Sequence, residues 1–139
     1  MSKSLVPSQA LDFLGRVLMA AVFVNALPGK LSDFAGTTAY IAQRGVPEPL
    51  AGFLLACALA VLILGSILFV FGSNTRLGAS LLLLFLVPTT LIFHTFPVDA
   101  AFVMNLALIG GLILSLSRST AAAVPTFRGL RSKAGIWRA

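Results

Sequence analysis

The sequence predicts an all-α integral membrane protein, a four-helix bundle with a short interfacial helix between spans one and two. Three observations carry that prediction. Of the 139 residues, 58% are hydrophobic and only 10% are charged, more apolar surface than a soluble domain of this size can hide. Four apolar runs recur, at residues 11–27, 50–71, 77–96 and 100–116; at about 1.5 Å of rise per residue, each comes close to the ~30 Å hydrocarbon core of a bilayer. The runs are continuous rather than alternating. They therefore suit helices, which satisfy their own backbone groups in lipid, and not barrel strands.

Residues 1–10 form a short polar lead, and the first span follows at 11–27. Lys3 ahead of an apolar run, with Val24-Asn25-Ala26 resembling a cleavage site, is also a signal-peptide pattern. Arg16 inside the run, and three further spans that need a packing partner, favour a retained helix. Pro28-Gly29 is expected to break that helix, and Lys30 follows at the interface. Ser32 or Asp33 can cap a short helix over residues 34–44, with Gly45 placed for its stop. Phe34, Thr37, Thr38 and Ile41 share one face of it, and it is too short to span, so it should lie on the membrane surface.

Val46-Pro47-Glu48-Pro49 leads rigidly into span two. Gly72-Ser73-Asn74-Thr75 makes spans two and three a helical hairpin, and Arg76 fences the start of span three. Pro88 should kink span three, with Thr89 and Thr90 returning hydrogen bonds to the freed carbonyls. Phe96-Pro97-Val98 turns the chain, and Asp99 is placed to cap span four, where its charge suits a helix N-terminus. Gly65 and the Gly110-Gly111 pair offer smooth surfaces for close helix approach. Residues 118–139 form a basic tail in which Arg128, Arg131, Lys133 and Arg138 can meet lipid or a protein partner, with Trp137 as an interfacial anchor or docking residue.

The net charge of +6 belongs to topology rather than to nucleic acid, since no aromatic-basic platform accompanies it. With four spans, Lys3, Arg16, Arg76 and five basic residues of the tail fall on one side, against Lys30 and Arg44 on the other. That asymmetry places both termini in the cytoplasm of a bacterial inner membrane or its equivalent. Membrane lipids are the expected partners, together with a protein partner or further copies of the chain. The single cysteine, Cys57, permits no disulfide framework within one chain and reads as a small packing residue.

Sorted by depth, Asn25, His94 and Asn105 reach a similar level in the outer third of the bundle, Asn105 lying ~8 Å below the end of span four. Polar groups at that depth should face inward. Two readings remain open: an interhelical hydrogen-bond clamp, or a head-group pocket for a quinone, with Lys30 nearby, Phe93 and Phe96 to stack, and His94 able to pass a proton. Arg16, at the opposite end, either snorkels to head groups or fixes Ser80, Ser115 or a ligand carboxylate, with Asp12 one turn away as a partner. One histidine excludes a bis-histidine haem, and His94 with Asp99 alone makes too few ligands for a metal. No phosphate loop or nucleophile–base pair is present, and no residue is assigned a catalytic role.

The chain resembles the DoxX family of small four-span bacterial membrane proteins over about residues 15–117. The resemblance is carried by Gly15-Arg16, Phe23 through Gly29-Lys30-Leu31, Tyr40, Gly45-Val46-Pro47, Gly65, Gly72, Thr75-Arg76, Phe93-His94, Asn105 and Gly110-Gly111. It implies a four-helix membrane bundle and an association with redox chemistry, some relatives resembling subunits of thiosulfate:quinone oxidoreductase. It points to Arg16, Lys30, His94 and Asn105. Where family members commonly carry an acid three positions before a Gly-Gly pair, this chain has Leu62 and Gly65-Ser66, and Ala26-Leu27-Pro28 replaces a small-Gly element. The expected function is that of a non-catalytic subunit or assembly component of a larger redox-linked membrane complex; the alternative is a quinone-linked oxidoreductase component with a pocket near His94 and Asn105. A small-solute carrier ranks third, since the chain is short and lacks broken-helix repeats.

Overall fold

The computed structural model describes residues 8–121, with side chains to Arg118. These residues form six helices: α1 Ser8–Asn25, α2 Leu27–Ser32, α3 Phe34–Gln43, α4 Glu48–Phe71, α5 Thr75–Phe93 and α6 Ala100–Ala121. Four segments are long and apolar enough to cross a membrane: Ser8–Ser32, Glu48–Phe71, Thr75–Phe93 and Ala100–Arg118. The tail residues Arg128, Arg131, Lys133, Trp137 and Arg138 lie outside the described residues.

The helix is interrupted just ahead of Pro28-Gly29 and resumes at once, so the first span, Ser8–Ser32, is longer than its apolar run. A single turn residue at Ala26 separates α1 from α2, and Pro28 falls in the first turn of α2, where its missing N–H costs no hydrogen bond. Asp33 then caps α3 by accepting from Gly36 N at 2.9 Å, while Ser32 turns back to the Gly29 carbonyl. Gly45 ends the helix at φ +94°, a conformation that favours glycine.

α5 runs unbroken through Pro88. Thr89 and Thr90 donate to the carbonyls of Phe85 and Leu86, each at 2.7 Å, four residues back from each hydroxyl. The carbonyl that Pro88 frees belongs to Leu84, so the threonines serve different groups from those expected. The helix ends at Phe93, three residues before the apolar run does. His94 becomes its C-cap, donating its N–H to the Thr90 carbonyl, and Phe96, preceding Pro97, is biased away from helical geometry. In the other direction α6 outruns its apolar stretch and carries Arg118 in its last turn, where a cation complements the helix dipole.

α4 is the central element, packed on α1, α3 and α5, while α6 rests on α5. The α4–α5 seam is tight at two glycines. A Cβ on Gly65 would come within 3.1 Å of Leu82, and one on Gly78 would overlap the backbone of Phe69. The core gathers Phe23, Leu62, Phe69, Leu82, Leu86 and Leu112. Outward-facing residues are as apolar as the core, among them Leu18, Phe53, Ile67, Leu84, Leu91, Val103 and Leu114. A continuous apolar exterior of this kind is the outer face of a helix bundle solvated by lipid.

Candidate functional site

At the end of the bundle where α3 lies across α4 and α5, a cleft of about 610 Å³ opens between the three helices. Its walls are largely aliphatic, with Leu54, Leu55, Val61 and Pro88 among them, and Cys57 also faces it. Lys30, Tyr40, Phe93 and His94 are among its polar and aromatic lining, with Thr37 and Thr89. A mostly apolar cleft of this size with a few convergent polar groups has the dimensions and chemistry of a small-molecule site.

The cleft wall is held by a cluster that sequence reading overlooked. Tyr40 stacks on Phe93, ring centroids 5.4 Å apart. Arg44 lies over both rings, 5.3 Å from the Tyr40 centroid and 5.7 Å from that of Phe93. Its guanidinium donates to the Tyr40 hydroxyl at 2.9 Å and to the Ile92 carbonyl at 3.3 Å. Arg44 thus closes the C-terminus of α5 and ties α3 to it. The available signal was the i,i+4 spacing of Tyr40 and Arg44, which brings a phenol and a guanidinium together on one helix face.

His94 stands at the rim with one ring nitrogen engaged. Its Nδ1 lies 2.8 Å from Asp99 Oδ2, while Asp99 Oδ1 accepts from Phe102 N at 2.9 Å and caps α6. The contact with His94, and then that backbone N–H, hold the Asp99 carboxyl below the ordinary value of 3.8. With Nδ1 turned to the carboxylate, Nε2 is the ring nitrogen left for a ligand.

Asn25 and Asn105 do not join this group. His94 is hydrogen-bonded to Asp99 rather than to either asparagine, Asn25 is exposed, and Asn105 is buried at 6% exposure on α6. Neither asparagine lines the cleft. The three-residue clamp is therefore not formed, and of the five residues expected in a pocket, Lys30, Phe93 and His94 meet. Phe96 is turned outward, 84% exposed.

At the opposite end, Arg16 points inward instead of snorkelling. It donates through Nη1 to the carbonyls of Phe69 and Val70, at 3.2 and 3.4 Å, and pairs through Nη2 with Asp12 at 2.9 Å. Neither Ser80 nor Ser115 is its partner in these contacts. Arg76 is half-buried in the first turn of α5. Among the described residues, no three His, Cys, Asp or Glu side chains gather as a metal would require.

Residues 11–95 match the model of the DoxX family. The chain belongs to the DoxX family. The match covers α1 through α5 and the residues of the α3 cleft, and ends before α6, so Asn105 and Gly110-Gly111 lie beyond it. This DoxX chain is also 31% identical, over 105 residues, to the inner membrane protein YqjF of Escherichia coli strain K12, an alignment covering 73% of this chain and 78% of that protein. No solved structure matches it. Leu62 is fully buried in the core.

Proposed function

We propose that this DoxX protein is a non-catalytic component of a redox-linked complex in the bacterial inner membrane, and that it holds the head group of a lipid-soluble ligand, a quinone, in the α3 cleft. The observation that carries the reading is the convergence of Lys30, Tyr40, Phe93 and His94 at one aliphatic cleft. The donor set suits a quinone: Lys30 and the free ring nitrogen of His94 can hydrogen-bond its oxygens, aromatic rings border it, and the aliphatic walls match an isoprenoid tail. A bound quinone would supply two-electron redox chemistry. The chain's own part is to bind, to orient and to shield from water, with His94 able to hold or release a proton at Nε2 under the orientation that Asp99 imposes.

The non-catalytic assignment is supported by the apolar core. Leu62 is fully buried among Phe69, Leu82 and Leu112, with no carboxylate at that position to share a proton. The name of the YqjF relative supports the inner-membrane location. The Lys/Arg asymmetry supports both termini lying in the cytoplasm, which puts the α3 cleft toward the outer surface.

The test is native mass spectrometry of the protein purified in mild detergent with added ubiquinone. One quinone retained per chain, and lost in His94→Ala and Lys30→Ala, is the expected result. Retention unaffected by both changes would reject the cleft as the site. A stoichiometric protein partner that stays bound in those variants, with no quinone in either case, would favour a purely structural subunit.

A further inference from the structure

α1 and α6 are the two spans that the bundle does not draw together: α1 rests on α4, α6 rests on α5, and no comparable packing joins them. Between them, at the end that carries Ser8 and Arg118, lies a second cavity of about 590 Å³. Two glycines shape it. An added Cβ at Gly111 would come within 2.9 Å of Met19 Cε, whereas at Gly15 nothing lies within 4 Å. Met19 therefore closes the gap at Gly111, and the groove over Gly15 stays open.

The charged lining is unequal, Arg16 and Arg118 against Asp12 alone. Arg16 is already committed through Nη1 to α4 and through Nη2 to Asp12, but its buried Nε has no partner among the described residues. Arg118 stands exposed on the last turn of α6. A cation surplus at the level where the helices end, above an apolar groove, matches a phospholipid: a phosphate beside the arginines and an acyl chain along the groove.

We propose that the α1–α6 cleft is a binding site for one anionic phospholipid, its phosphate held by Arg118 with support from Arg16 and one acyl chain lying over Gly15. A zwitterionic lipid carries its own ammonium toward Arg118 and binds there more weakly, because a juxtamembrane cation discriminates by net head-group charge. The site is independent of the α3 cleft, which lies at the other end of the bundle.

The experiment is native mass spectrometry of the full chain released from nanodiscs of phosphatidylcholine mixed with phosphatidylglycerol. One phosphatidylglycerol is retained per chain, with about a fivefold preference over phosphatidylcholine that Arg118→Gln abolishes. Gly15→Leu expels both lipids; the position is open within 4 Å and leucine is the better helix former, so the fold is kept. Equal retention of the two lipids, retention unchanged in both variants, or displacement by millimolar inorganic phosphate would each overturn the assignment.

Discussion

Arg16 and Arg44 do the same job at opposite ends of the bundle with different means. Each closes the C-terminus of a central helix, Arg16 at the Phe69 and Val70 carbonyls of α4 and Arg44 at the Ile92 carbonyl of α5. Each also has an aromatic companion, Phe13 for Arg16 and the Tyr40–Phe93 stack for Arg44. The difference lies in charge and burial. Arg16, whose side chain is 18% exposed, is balanced by Asp12. Arg44 is exposed and answered by a phenol and two ring faces. A half-buried arginine paired with a carboxylate holds its end through charge and hydrogen bonds, whereas the exposed one holds its end through ring faces and a phenol. A cleft lies at each end, the α1–α6 groove lined by Arg16 and the α3 cleft walled by Tyr40 and Phe93.

Breaking the Arg16 clamp should have the largest effect. Arg16→Gln removes a charged donor from two helix carbonyls, and a stability loss of about 3 kcal/mol follows, read as a lowered unfolding midpoint in detergent. Next comes the α4–α5 seam. Gly78→Val drives a side chain into the Phe69 backbone and costs about 2 kcal/mol, whereas Gly110→Val, with nothing within 4 Å of its Cβ, should leave the melting temperature almost unchanged.

Arg44→Ala sharpens the contrast. Loss of an exposed cap costs at most about 1 kcal/mol, yet the same change frees the Tyr40–Phe93 wall, so quinone retention should fall while the fold persists. Equal stability losses for Arg16→Gln and Arg44→Ala would remove the distinction between the two ends.

The smallest effect is set by Asp99. Because its folded carboxyl titrates below 3.8, the unfolded chain binds more protons in the window under that value, so stability falls as pH falls through it. The Asp99 contribution is complete above the ordinary carboxylate value and disappears in acid. Thermal melts of the wild-type protein and Asp99→Asn should therefore run nearly parallel near neutrality and above, with only the wild type losing this increment below about pH 4.

The spans were legible because unbroken apolar runs leave lipid-crossing helices little alternative. Caps at Asp33 and Asp99 and the stop at Gly45 were legible because short side chains and left-handed backbone act locally. The ends were harder to read. Pro28 does accompany a break, at Ala26, but it stands in the first turn of a new helix, so the span continues to Ser32. The grouping of Asn25, His94 and Asn105 went wrong for a geometric reason. Residue number gives height along a helix, but facing depends on how each helix is rotated against its neighbours. Asn105 turns into the bundle, Asn25 turns out of it, and His94 sits past the end of its helix. The contact of Gly78 with the Phe69 backbone and the bond from Arg44 to the Ile92 carbonyl have no local pattern to announce them, since both join separate helices.

Photo-crosslinking can locate the quinone in the α3 cleft. The protein in nanodiscs is irradiated with a short-tailed azido-quinone and the adducts are mapped by peptide mass spectrometry. The account predicts adducts concentrated on the cleft walls, at Tyr40, Cys57, Phe93 and their neighbours, and displaced by excess unlabelled quinone. Adducts spread evenly over lipid-facing residues such as Leu18, Leu91 and Val103, with no displacement, would contradict it.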